Sequence, residues 1–537
     1  MKRTAITAVV FAILMSFSEE HLQAQEPDKA KALADGFIKG NNEISDYNTA
    51  CYFSLAGNKS LALTYLRKAI RDGFDRAKVM LEDSDLDALH NETEWSSLVK
   101  MVQDNEQKKG TQDNLFFNQP GFWDSKYLHT PYQKNISQNE KVAGLSKFWS
   151  EAKYNFVNFD LVPEVNIDSL YIEYLPKVIN TKSTLEYYKV LTEMCAKLKD
   201  GHTNINAPEE LRNEVYARPL IRTRMIEDKV LVIEADKTIQ EKGITAGMEI
   251  VMVNGLPVKE YAAKFITPYQ SSSTPQDKTV RSYEYALLSG SLTQPIQLKL
   301  KDEKGNVSSH TILRVAPAER SAKFSYVPVE YKMLPDNICY LAINTFATDT
   351  GSKVFIGKYP EIANSNAIII DLRNNGGGST DWRILRYFID SPVLVHKMYS
   401  RQYVPSQRAW QWTQKTWGSM DAISPNKGKL YTKPVIILTS ARTFSAAEDF
   451  AAAFKSLKRG LIIGEATGGS TGQPLGISLP GNLSARICTK RDQYPDGEDF
   501  VGKGIQPDVV VMPTVSDVRK GVDTQLEAAL GELKKMK

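Results

Sequence analysis

The spacing of apolar residues changes along this chain, and each change marks a different kind of element. From about Asp28 to Gln107 the spacing is helical. Ala50, Tyr52, Phe53, Leu55 and Ala56 precede a turn at Gly57-Asn58-Lys59, and Leu61, Ala62, Leu66, Ala69 and Ile70 follow it to a stop at Gly73. Residues 114–130, aromatic and Pro/Gly-containing, read as a linker. Helical spacing returns from Lys141 to Leu198 and ends at Lys199-Asp200-Gly201-His202-Thr203. From about Val215 to Val315 the period shortens to that of strands, as in Val230–Ile233 and Glu249–Val253, the latter entering an Asn254-Gly255 turn. Beyond Asn337, continuous apolar runs at 367–372, 435–438 and 461–464 predict strands covered on both faces, with a helix expected over about 445–457.

Strand, turn and helix in succession predict an α/β core inside a multi-domain α+β chain, with ligands gathering at the carboxyl ends of the strands. The first helical pair, with small residues at its crossing, resembles a tetratricopeptide-type unit. Only about one unit is present, fewer than a free solenoid needs. The stretch "GITAGMEIVMVNGLPV" resembles part of a PDZ domain. The expected division is a leader at 1–24, a TPR-like helical region at 25–110, a linker and second helical domain at 111–210, a PDZ-like module at 211–320, a catalytic domain at 321–515 and a C-terminal helix at 516–537.

The leader is read from Lys2 and Arg3, the apolar run Ala5 to Phe17, and Ala24 at the cleavage point. It predicts export to a periplasm or the exterior, and no later stretch reaches the ~18 apolar residues of a membrane span. Lys+Arg 67 against Asp+Glu 63 leaves a net charge of only +4, which offers no basic face to nucleic acid. The four cysteines include no C-x-x-C pair, so neither a disulfide scaffold nor a zinc site is expected. Neither metal nor cofactor is called for, and oligomeric state is not legible.

Two turns at strand ends hold the unusual chemistry. Asp371-Leu372-Arg373-Asn374-Asn375-Gly376-Gly377-Gly378 is either a tight turn or a place where backbone N–H groups approach a ligand. In Thr443-Phe444-Ser445-Ala446-Ala447-Glu448, Ser445 heads a helix, where the positive dipole end favours developing negative charge; with Glu448 it also fits an ordinary capping box. Of the six histidines, His202 alone sits at a helix end on an interdomain connection. Gly468-Gly469-Ser470-Thr471-Gly472 satisfies the G-x-S-x-G elbow pattern, but no histidine follows it and Pro474, Gly476 and Pro480 forbid the helix that an elbow requires.

Taken together, "AIIIDLRNNGGGSTDW", "VIILTSARTFSAAEDFAAAF", "LIIGEATGGSTGQP" and "GKGIQPDVVV" resemble, in order, the motifs of the S41 serine peptidases, the family of the carboxyl-terminal processing proteases and the tricorn core protease. The resemblance implies a crotonase/ClpP-like catalytic core, Ser445 as nucleophile, and an oxyanion hole from Ala446 and the glycine turn, Gly376 or Gly377. Processing proteases carry a lysine base in the loop after the following strand; Ser470 stands at that position here. The chain therefore resembles the tricorn branch, which implies His202 as base and a downstream carboxylate, Glu498 (or Asp499 or Asp496), to orient it. Tricorn has a serine before its histidine, where this chain has Gly201. The expectation is an exported serine endopeptidase acting on peptides or protein tails. The alternative is a catalytically silent relative binding a peptide or an apolar ligand.

Overall fold

In the computed structural model, which describes residues 46–55, 57–116, 128–324, 327–426 and 428–536, the first helical stretch becomes α1 (Asp46–Leu55) and α2 (Lys59–Arg71). Asn58 caps α2, its Oδ1 accepting the Leu61 N–H at 3.1 Å. Together with α3 (Trp95–Phe116) they enclose a small core of Ala62, Leu66, Ile70, Leu89 and Val102. The expected leader lies outside the described residues, as does most of the aromatic linker.

A second helical layer follows: α4 (Gln138–Asn155), α5 (Ile167–Ile179) and α6 (Thr184–Ala196). Short β1 (Asn204–Asn206) leads out of it. Next, β2 (Ile221–Ile226), β3 (Lys229–Ala235), β4 (Glu249–Val253), β5 (Leu256–Pro257), β6 (Ile296–Lys301) and β7 (Val307–Ile312) form an all-antiparallel sheet of order β2-β3-β4-β6-β7, with β5 on β4. Helix α7 (Val258–Phe265) closes its own core, built around Val232, Ile250, Val253, Leu298 and Leu300.

The third layer holds β8 (Val329–Leu334), β9 (Ile338–Ile343), α8 (Thr350–Ile362) and β10 (Ala367–Asp371). An antiparallel hairpin of β11 (Val393–Gln402) and β12 (Lys415–Ile423) interrupts it. β13 (Val435–Thr439), α9 (Ala446–Leu457) and β14 (Leu461–Gly464) come next. β15 (Pro474–Leu479), β16 (Leu483–Cys488), β17 (Lys490–Gln493), β18 (Val509–Val510) and α10 (Thr524–Lys535) complete the chain. The main sheet runs β18-β14-β13-β10-β9-β8, parallel throughout except for β8. Ile368, Ile369 and Ile370 are fully buried because helices cover both faces, and each contributes about 1.5–3 kcal/mol.

Two couplings position the site. β16 leaves the third layer to pair with β1, Asn204 opposite Arg486, so Ile477, Leu479 and Ile487 share one core with Phe148, Tyr187 and Leu191 of the helical layer. The carboxyl ends of β10 and β13 meet where the Phe444 N–H donates to the Asn375 carbonyl at 3.0 Å. Among the described residues, no helix is long and apolar enough to cross a membrane.

Candidate active site

Ser445 leaves β13 on a turn that only surrounding structure can hold. Its φ of 58° and ψ of −129° place a non-glycine residue in the left-handed half of the map, at a cost of order 1–3 kcal/mol. The Ser445 N–H is shared between the Ser470 carbonyl at 3.1 Å and Glu448 Oε2 at 3.2 Å. Opposite it, Gly377 at φ 97° is packed so closely that a Cβ there would lie 2.6 Å from the Ser445 Cβ and 3.1 Å from the Ala446 nitrogen. A side chain at 377 would push the glycine turn off the serine.

His202 is presented by the turn after α6. Asp200 Oδ1 accepts the His202 N–H and the Thr203 hydroxyl, both at 2.9 Å, while its Oδ2 accepts the Asn158 amide at 2.9 Å. The imidazole is buried and stacks on Phe444, centroids 4.9 Å apart and planes 13° from parallel. Its Nε2 lies 2.9 Å from Ser445 Oγ and its Nδ1 lies 2.9 Å from Ser470 Oγ. Burial, reinforced by the Arg486 and Arg281 charges, lowers its pKa to about 3. Gly201 is required here, since a Cβ at that position would sit 2.6 Å from the Phe444 ring. That contact explains why no serine precedes this histidine.

Glu448 is fully buried and spans the two halves of the turn system. Oε1 accepts the Thr467 hydroxyl and the Gly469 N–H, both at 2.6 Å, and Oε2 accepts the Ser470 N–H at 2.9 Å in addition to that of Ser445. The Thr467 oxygen accepts the Ile505 N–H at 2.7 Å, so its own proton is directed to Glu448. Burial outweighs these hydrogen bonds and leaves the carboxyl pKa raised to about 8, although four donors facing it favour the ionised form. Capping is thus half of what Glu448 does. The Ser445 hydroxyl turns to His202.

The expected residues are not all brought together. Ser445, His202, Ala446 and the glycine turn converge. The Gly377 N–H donates to Asn375 Oδ1 at 2.9 Å, which leaves Gly376 the better donor of the two named glycines. Glu498 does not reach His202. Its side chain is 66% exposed, faces Lys503 at 3.9 Å, and its N–H donates to Asp496 Oδ1. Asp499 instead accepts the Gln493 amide at 2.9 Å. The second imidazole nitrogen meets a hydroxyl, not a carboxylate. Sequence reasoning passed over Ser470 in that role, although its place in the lysine position was the available signal.

A second buried polar cluster lies beneath α9. His396 places Nε2 2.7 Å from Asp492 Oδ1 and Nδ1 3.2 Å from Asp421 Oδ2, with the Lys490 ammonium 2.8 Å from Asp492 and the Thr380 hydroxyl 2.8 Å from Asp449. His396, Asp449 and Asp492 offer ligand atoms within 4.8 Å of one another. Both ring nitrogens are already committed to carboxylates and an ammonium stands beside them, a set that suits an imidazolium better than a metal ion. Burial opposes that charge, but the Asp421 and Asp492 carboxylates raise its pKa to about 10. A folded pKa above the unfolded ~6.5 stabilises the protein fully below pH 6.5 and ceases to do so as pH rises towards 10. Urea unfolding should therefore show stability falling between pH 7 and 10, and His396→Gln should flatten that fall.

Residues 337–511 match the family model Peptidase family S41. The chain is 25% identical over 353 residues to the chloroplastic carboxyl-terminal-processing peptidase 1 of Arabidopsis thaliana, covering 63% of this chain and 65% of that protein. It is 20% identical over 412 residues to the carboxyl-terminal-processing protease of Picosynechococcus, covering 71% and 84%. The solved structure of mature CPAF complexed with lactacystin superposes with a TM-score of 0.56 at 15% identity, covering 74% of this chain and 98% of that one, a likeness of fold. The chain spans about two thirds or less of the length of the first two curated relatives, 65% and 55%.

Proposed function

Because this chain belongs to peptidase family S41 through residues 337–511, we propose that it is a serine endopeptidase with Ser445 as nucleophile and His202 as general base. The observation that carries the reading is the 2.9 Å approach of His202 Nε2 to Ser445 Oγ, made by groups 243 residues apart. As Oγ attacks a peptide carbonyl, its proton passes to Nε2; the same proton then goes to the leaving amine, and water repeats the sequence to release the acyl group. The Ala446 N–H at the start of α9 and the Gly376 N–H receive the oxyanion, each donor carrying about 3–4 kcal/mol. Fluorophosphonate labelling with mass-spectrometric mapping tests this. The adduct belongs on Ser445 and its formation should slow sharply in His202→Ala. Failure to label, together with tight binding of an apolar ligand, would favour a silent binding protein.

The low pKa of His202 has a direct kinetic consequence. The base works when neutral, and a pKa depressed to about 3 keeps it neutral far below the usual ~6.5. The kcat/KM profile should stay within about twofold between pH 7 and pH 5, with no histidine limb near 6.5. A limb at 6–7 would show an imidazole in contact with solvent.

The reading extends to substrate and location. The relatives named for carboxyl-terminal processing suggest protein tails, and the antiparallel module, read as PDZ-like, would present them. A cavity of about 1000 Å³ between this module and α6 is lined by Arg218, Arg320, Tyr188, Tyr261 and Phe265. Arg218 donates through Nη1 to the Tyr285 carbonyl at 2.7 Å, and its buried Nε has no hydrogen-bond partner among the described residues. A tail carboxylate would complete it. Arg218→Ala should raise KM by about 10-fold for substrates with a free carboxyl terminus, leaving kcat and amidated substrates unchanged. Export is read from the leader, and N-terminal sequencing of the mature protein should begin near Gln25.

A further inference from the structure

We propose that Ser470 is the residue that positions His202, performing with a neutral hydroxyl what a triad performs with a carboxylate. The inference rests on the reading of Ser445 and His202 given above. Ser470 Oγ is fully buried and 2.9 Å from Nδ1, and neither Glu498 nor Asp499 nor Asp496 comes to that nitrogen. Asp200, the carboxylate nearest in sequence, spends its oxygens on the His202 N–H, the Thr203 hydroxyl and the Asn158 amide. Ser470 is in turn fixed through its backbone, its N–H held by Glu448 and its carbonyl receiving the Ser445 N–H.

The proton count assigns the tautomer. For Nε2 to accept the Ser445 proton it must carry a lone pair, so the resting ring carries its hydrogen on Nδ1 and donates it to Ser470 Oγ. During attack, Nε2 gains a proton and the Nδ1–H stays in place, still donated to Ser470. A hydroxyl aims the ring without neutralising the imidazolium. That matches the surroundings, where the Arg486 and Arg281 charges also disfavour the charged ring. Two positions that the family uses otherwise are explained together. Gly201 cannot carry the orienting hydroxyl because Phe444 occupies the space, and position 470, free of a lysine, supplies it.

The experiment compares Ser470→Thr with Ser470→Val, near-isosteres that differ in the hydroxyl, alongside Ser470→Ala and His202→Ala. Ser470→Val and Ser470→Ala should lose about 10- to 100-fold in kcat with KM unchanged. This falls short of the roughly 10⁴-fold lost when a triad carboxylate is replaced, because orientation goes but no charge does. Ser470→Thr should recover most of the rate. Nitrogen-15 NMR of histidine-labelled wild type should find the Nδ1–H tautomer at neutral pH, and this arm needs no variant to fold. Equal rates in the Thr and Val variants, or an Nε2–H resting tautomer, would overturn the proposal. Full activity in His202→Ala would instead overturn the general-base reading on which it rests, so the two failures are told apart.

Discussion

Alanine at position 445 lowers kcat by roughly 10⁶-fold while the protein still folds, with unfolding free energy changed by about 1 kcal/mol or less. The size follows from how the groups act. In the proposed mechanism Ser445 Oγ gives its proton to His202 Nε2 across 2.9 Å, and removing either of those two groups disables the transfer. His202→Ala should fall by a comparable amount, and the double variant should be no worse than either single one. Additive losses, measured by steady-state hydrolysis of a fluorogenic peptide, would mean that the two side chains work independently. The residual rate would then come from the proposed backbone donors at Ala446 and Gly376, which neither substitution touches.

The second large effect is on Glu448. Glu448→Ala removes the acceptor of the buried Gly469 and Ser470 N–H groups and of the Thr467 hydroxyl, and one of the two acceptors of the Ser445 N–H. A buried donor left without a partner costs about 1–3 kcal/mol, so the variant should lose on the order of 4 kcal/mol in urea unfolding. Its labelling by fluorophosphonate should be nearly abolished, because the 467–470 loop and Ser445 lose their common anchor. Glu448→Gln keeps the volume but turns amide hydrogens towards the Ser445 and Ser470 N–H groups. It should fall between the wild type and the alanine variant. Were Glu448 only a helix cap, the loss would be about 1 kcal/mol and labelling would survive. That outcome would refute the framing role.

What could be read in advance depended on how local each feature is. The strands β10, β13 and β14 were legible because a parallel sheet covered on both faces needs uninterrupted apolar runs, as in Ile368–Ile370 and Val435–Leu438. His202 was legible by elimination and by the resemblance to the tricorn branch. The orienting partner was not. Ser470 reaches His202 only because Glu448 folds the 467–470 loop against α9, and no spacing rule encodes a contact 268 residues apart. Glu498 was favoured from a motif position, yet its loop points it at Lys503 and solvent. The β11–β12 hairpin was missed for another reason: its strands mix buried and exposed positions without regular alternation, and Trp410, Trp412 and Trp417 stand exposed around it.

The pairing of β1 with β16 fixes when this chain can act as well as where. The base is synthesised early, the hydroxyl it serves much later, and the strand that docks one beside the other ends at Cys488. In a nascent chain lacking those last strands nothing docks the imidazole beside Ser445, so the proposed mechanism leaves the polypeptide inert while it is being made. On that reading the site is assembled only when the fold is nearly complete. Any later event that frees β1 from β16 would part the two groups and open the core that Ile205 and Ile487 share.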